Sequence, residues 1–278
     1  LHLDELKGGD RLVPTDPAQA FVCRLIDEAF DEFGLYMVHH NRWVISAATN
    51  TMGEMTAGEL RKLIPPFLRK NVAQRLAERQ VRRCPYLFSV APEDFDCAVP
   101  AALTPPARAE FPPTHDLLDT AWRRYLAAME AILSQQPFLL GERFTLADAS
   151  AYGQLGMNLA DGRAAWLLEE LAPRTFSWLH MIQAGKHRGS AGSLQLNAEL
   201  QPLLECIAQT FVPLMRQNTA AYNTALAAGQ TTFNEAAFDR GEALYDGELL
   251  GQPFRSVAKS FQVVVWRDVQ QAWTALQD

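Results

Sequence analysis

Two groups of residues could do chemistry in this sequence. The first is the run "YMVHHNRWV", in which Tyr36, His39, His40, Arg42 and Trp43 fall within eight positions. Tyr36 and Trp43 could stack on an aromatic ligand, while His40 and Arg42 could position an anion such as a carboxylate. The competing reading is that Tyr36 and His40 lie on an apolar helical stripe and are satisfied core residues. The second is Asp148, a lone carboxylate in "FTLADASAYGQLG", with no other charge between Thr145 and Ala160. It is either a catalytic group or part of the scaffold. Thr145 stands three residues before it, which is the spacing of a capping box: the Thr hydroxyl accepts from the backbone three residues on, and the acid reaches back to the Thr N–H. The local sequence offers Asp148 no base or substrate partner, so the scaffold reading is preferred.

Little else has the spacing of a reactive centre. The four cysteines, Cys23, Cys84, Cys97 and Cys206, are scattered, without a CxxC or Cys/His cluster, so neither a metal site nor a disulfide framework is expected. That fits a reducing, cytoplasmic setting. His115, His180 and His187 are isolated. Asn218 and Tyr222 have the spacing of a structural pair on a helix, and Arg255 and Lys259 are either solvated or seal the C-terminal part against the core. The chain of 278 residues has a net charge of −7, so it has no general attraction for nucleic acid or for an anionic membrane. The Arg-rich run from Arg69 to Arg83 reads as a solvated helix face. No apolar run is long enough to span a bilayer.

The elements that must position these residues are helical. Asp16 and Pro17 read as N-cap and first residue of a helix, followed by the stripe Ala18, Phe21, Val22, Leu25, Ile26, Ala29, Phe30 and Phe33. The stripe runs on through Tyr36, Met37 and His40 if Gly34 does not end the helix. Thr56 and Glu59 read as a second capping box, and Pro65–Pro66 should split the helix that follows. Residues 85–113 read as a long loop. From Thr114 a strong period resumes through Leu118, Trp122, Tyr125, Leu126, Met129, Ile132 and Leu133. Two short helices are expected on either side of Pro173, one long helix from Asn197 to Ala228 kinked by Pro213, and a last helix from Lys259 to Leu276. Residues 229–258 are turn-rich and unassigned. No strand series appears, so the class is all-α, a bundle of antiparallel helices.

The stretch "FLLGERFTLADAS" resembles the C-terminal helical domain of glutathione S-transferases, where such a sequence precedes a central buried helix. "GGDRLVPTDPAQAFVCRLIDEAFDEF" is similar to the linker and first helix of that domain. "YMVHHNRWV" resembles a segment near the end of the first helix in some bacterial members, and "GELLGQPFRSVAKSFQVVVWRDVQQAW" looks like a C-terminal extension of that subgroup. The resemblance is strongest over Arg11–Gly185. It implies a linker at 1–16, a helical domain at 17–187 and a helical extension at 188–278 packed on it. It also implies a thioredoxin-like domain that binds glutathione and carries the Ser, Tyr or Cys that stabilises the thiolate. No βαβ–ββα pattern precedes the first helix, so the expectation is a fragment of such a transferase, or else a natural protein without that domain.

On this reading the helical domain walls the site for a small hydrophobic or aromatic co-substrate. Tyr36, His39, His40, Arg42 and Trp43 are its candidate binding residues, glutathione is the co-substrate, and no metal is involved. A homodimer is implied, with no nucleic-acid or membrane partner. An exposed apolar patch beside the first helix is expected where the other domain would pack. The alternative is a non-catalytic module that binds a ligand or a protein.

Overall fold

The computed structural model describes residues 12–276. The linker expected at 1–16 falls outside that range except for its last five residues. The fold is mostly helical. The first helix, α1 (Pro17–Ala29), starts at Asp16, whose carboxylate accepts from the Gln19 N–H at 2.9 Å, and Pro17 takes the first helical position. Gly34 does not end it. Its φ of −56° and ψ of −37° are right-handed helical, whereas a C-terminal glycine stop needs the left-handed region. Instead the rod widens into a π-type turn (Phe30–Gly34), tightens into α2 (Leu35–His40), and widens again over Asn41–Ile45. Each π-type turn shifts the register of the faces, and such turns gather at functional sites.

A helical hairpin follows, α3 (Met52–Glu59) and α4 (Arg69–Arg82). The box expected at Thr56 and Glu59 does not form, because the N-cap of α3 is Thr51 and both residues already lie inside the helix. The turn between them carries Pro65 and Pro66, which supply no N–H. Residues 83–114 are irregular apart from one short turn at Ala101–Leu103. Then come α5 (His115–Leu133), α6 (Leu146–Leu155), α7 (Gly162–Leu171) and α8 (Pro173–Gln183).

The single long helix expected beyond Asn197 is two helices, α9 (Gln201–Gln209) and α10 (Phe211–Ala227), broken at Thr210. The break lies three residues before Pro213 because the proline ring clashes with the carbonyl four residues back and leaves it without a donor. A short α11 (Glu235–Arg240) precedes an antiparallel hairpin, β1 (Leu244–Leu249) with β2 (Gln252–Val257), and α12 (Ser260–Thr274) ends the described chain.

One apolar core runs from Cys23 to Val269, with Phe30, Phe33, Met37, Tyr125, Met129, Leu179 and Phe211 fully buried. Burying each such side chain stabilises the fold by roughly 1.5–3 kcal/mol. Aromatic contacts carry this core into the C-terminal hairpin. Phe33 stacks on Tyr125, Tyr36 on Phe88 at 5.3 Å, and Phe88 meets Phe254 at 4.8 Å.

Helix α6 hangs from its first turn. Asp148 is fully buried and takes three hydrogen bonds, from the Leu139 N–H (2.8 Å), the Thr145 N–H (2.8 Å) and the Thr145 hydroxyl (2.7 Å). The Thr145 side chain in turn meets the Asp148 backbone, completing the box. Burial pushes the Asp148 carboxyl up to about 6, and the Leu139 and Thr145 donors pull it the other way. At neutral pH it is therefore mainly an anion at the positive end of α6.

Candidate functional site

The site is the far end of the first rod, where residues 36–43 meet four neighbours. Consecutive helical residues point about 100° apart, and this rod end is enclosed on several sides: Tyr36, His39, His40, Asn41 and Trp43 are all buried. The five candidate residues therefore do not line one pocket. They divide three ways.

Tyr36 faces the C-terminal part. Its ring stacks on Phe88 and its hydroxyl contacts the Lys259 ammonium and the Gln262 amide, the latter at 3.1 Å. Gln262 also donates to Glu32 at 3.1 Å. Burial holds the Tyr36 hydroxyl well above its ordinary range, so it is a neutral phenol.

His39, Arg42 and Trp43 face the α3–α4 hairpin. With Met52, Thr56 and Leu76 they line a cavity of about 290 Å³. Neither ring nitrogen of His39 has a hydrogen-bond partner among the described residues. Burial, with the Arg83 and Arg42 charges nearby, lowers its pKa to about 3, so it is a neutral imidazole. Trp43 is pinned by Val81 and Cys84. Arg42 is already committed. Its Nε donates to Asp161 at 2.7 Å and its Nη2 to the Met157 carbonyl at 2.8 Å. The guanidinium is thereby a strut between the first rod and the chain entering α7, while it also lines the cavity.

His40 faces a second cleft, of about 530 Å³, on the opposite side of the rod. Its Nδ1 lies 3.1 Å from the Ser89 hydroxyl, and its ring lies 4.7 Å from that of His115. Among the described residues His115 has no hydrogen-bond partner at either nitrogen, and it packs edge-on against Phe95. Burial keeps both rings neutral. His115 falls to about 4, and His40 lies well below the usual histidine range because His115 and His39 add to burial. The sequence left His115 isolated. Its place beside His40 follows from the packing of α5 on α2, and no local pattern signals that.

The first cavity sets the neutral His39 imidazole beside Trp43 and Met52, whereas the second sets His40 and His115 beside the charged Asp116, Asp119, Arg123 and Arg163. They hold no activated nucleophile. Burial raises Cys23 to about 11 and Cys84 to about 12, and desolvation also raises Cys97. Among the described residues no group of three His, Cys, Asp or Glu side chains could hold a metal ion, and no helix is long and apolar enough to cross a membrane.

Residues 107–180 match the family model described as glutathione S-transferase, C-terminal domain. Comparison with curated proteins and comparison with solved structures returned no match. The matched residues run from the approach to α5, through the Asp148 cap and α6, into α8. Residues 107–180 of this mostly helical chain are thus similar to the C-terminal domain of glutathione S-transferases.

Proposed function

We propose that this chain forms the hydrophobic co-substrate side of a glutathione-dependent transferase. The observation that carries the reading is the cavity walled by His39, Trp43 and Met52 at the end of the first rod. Its wall combines the apolar Trp43, Met52 and Leu76 with the polar Thr56 and Gln80 and the neutral His39 imidazole, and it is joined through Arg42 and Asp161 to the family-matched segment. Glutathione would be the co-substrate, held by a thioredoxin-like domain that is not among the described residues. The ligand class is a small aromatic electrophile, and a homodimer in a reducing, cytoplasmic setting is part of the same proposal.

A second reading, a non-catalytic binding module, is favoured by one observation: burial raises rather than lowers the pKa of Cys23, Cys84, Cys97 and Tyr36, the opposite of what a thiol-activating group needs. Titrating the protein with an anilinonaphthalene dye, followed by competition with chlorodinitrobenzene, tests the pocket. Saturable binding that Trp43→Ala abolishes is expected under both readings. Glutathione conjugation by a preparation carrying a thioredoxin-like domain, reduced by Trp43→Ala, supports the enzyme. Binding unchanged in Trp43→Ala would move the ligand site elsewhere.

A further inference from the structure

The turn of the α3–α4 hairpin carries the two most exposed large apolar side chains among the described residues. Leu63 is 79% exposed and Phe67 81%, and Met55, Leu60 and Leu68 are exposed beside them. Between Leu60 and Lys70 stand Arg61, Lys62, Arg69 and Lys70 and no acid, in a chain whose net charge is −7. The base of the hairpin is anchored, because Trp43 packs with Val81, Cys84 and Met52. Its two helices are locked close together at Gly53, where a Cβ would fall 2.3 Å from the Ala73 carbonyl oxygen. An apolar tip with a basic collar is thus held out on a rigid stalk.

We propose that this tip is an interfacial anchor that docks the protein on an anionic lipid surface, with Leu63 and Phe67 entering the headgroup–acyl boundary and Arg61, Lys62 and Lys70 resting on the phosphates. Three observations favour a bilayer. Charge complementarity is the first: a local cluster of four cations attracts an anionic leaflet even on an acidic protein, since the rest of the chain is screened beyond about a Debye length of ~8 Å. The second is the long aliphatic stems of Lys and Arg, which let their charges stay in the headgroups while leucine and phenylalanine sit deeper.

The third is the backbone, which brings few unpaired donors. The Leu63 and Ile64 N–H groups donate to the Leu60 carbonyl at 2.8 and 3.0 Å, the Leu68 N–H donates to Pro65 at 3.0 Å, and Pro65 and Pro66 have no N–H. The Arg69 guanidinium caps the Ile64 and Arg61 carbonyls at 3.3 and 3.0 Å. A tip whose polar backbone is partly satisfied in this way loses less on leaving water. Pairing of two such tips in a twofold dimer is opposed by four cations on each side.

Co-sedimentation of the purified chain with vesicles tests the proposal. Binding to phosphatidylcholine vesicles containing 30% phosphatidylglycerol, weakened by salt, is expected, with little binding to pure phosphatidylcholine. The double variant Leu63→Ser/Phe67→Ser, and separately Lys62→Glu/Lys70→Glu, should each reduce the vesicle affinity on the order of tenfold or more. All four side chains are exposed, so circular dichroism and Tm should be unchanged. Absence of binding to the anionic vesicles would overturn the proposal, as would binding that both variants retain. A dimer in solution that Leu63→Ser/Phe67→Ser dissociates, with no vesicle binding by the wild type, would assign the tip to a second copy of the chain instead.

Discussion

The Lys259 ammonium donates to the Tyr36 hydroxyl across 223 positions of sequence, and both groups are buried. The same ammonium lies 4.5 Å from the Tyr36 ring centroid and 4.9 Å from that of Tyr86. Asn218 holds the lysine from behind, donating to its carbonyl at 3.0 Å and accepting from its N–H at 2.8 Å. This cluster ties the C-terminal part to the end of the first rod. Next to it α12 lies on α1, with Phe21 and Trp273 rings 5.2 Å apart, while Phe261, Val264 and Trp273 remain about half exposed along that side.

Burial lowers Lys259 to about 8, against the pull of Tyr86 and Glu32. An unfolded lysine titrates near 10.4. Between these values the unfolded chain binds more protons than the folded one, so this residue makes stability rise with pH, and its buried charge is most unfavourable below about 8. Lys259→Met should therefore compare best with the wild type near pH 7, and its advantage should shrink toward pH 10. Tm measured for both proteins across that range checks this. A difference independent of pH would show that Lys259 titrates normally.

Asp148→Ala should destabilise the fold by about 3 kcal/mol or more, since it leaves the buried Leu139 and Thr145 N–H groups without acceptors. Denaturant unfolding measures the loss. Ligand binding by the fraction that folds should be spared. Normal stability with lost binding would make Asp148 a site residue.

Arg42→Met strands Asp161, whose side chain is 1% exposed, and should cost about 3 kcal/mol. Arg42→Lys should recover only part of this, because a single ammonium cannot reach both Asp161 and the Met157 carbonyl with the geometry of the planar fork. Chemical denaturation of the two variants checks the order. Full stability in Arg42→Met, accompanied by weaker dye binding, would return Arg42 to the ligand site.

Gly53→Ala should force α3 and α4 apart and destabilise by roughly 1–3 kcal/mol. Faster proteolysis or hydrogen exchange within residues 52–82 should mark the change, with the α5–α8 core less affected. Unaltered exchange in the hairpin would show that α3 can shift without loss.

Much of the helical architecture is legible along the chain, because helical periodicity is local. The stripe from Phe21 to Phe33, the period from Leu118 to Leu133, and the Thr145–Asp148 spacing each carry their structure in a few turns. The β1–β2 hairpin was missed for a definite reason. Its turn places Leu250 and Gly251 at φ of +52° and +73°, a primed turn that usually announces itself by Asn-Gly or Asp-Gly. Leucine at that position hides it. The break at Thr210 was displaced from Pro213 because a proline disrupts the turn before it.

The candidate site shows the division most clearly. Sequence alone determined that Tyr36 to Trp43 end an apolar helix, that Asp148 stands at the start of another, and that residues 138–150 resemble a known helical domain. These depend on spacing within a few residues. Tertiary structure decided where each side chain went: Tyr36 to Lys259, Arg42 to Asp161, His39 and Trp43 to the hairpin, His40 to His115. Adjacent residues of the rod end face different neighbours, and Ser89 for His40, Asp161 for Arg42 and Lys259 for Tyr36 lie 49, 119 and 223 residues away. Desolvation by those distant partners, not residue type, sets which imidazoles stay neutral and which cation is held inside.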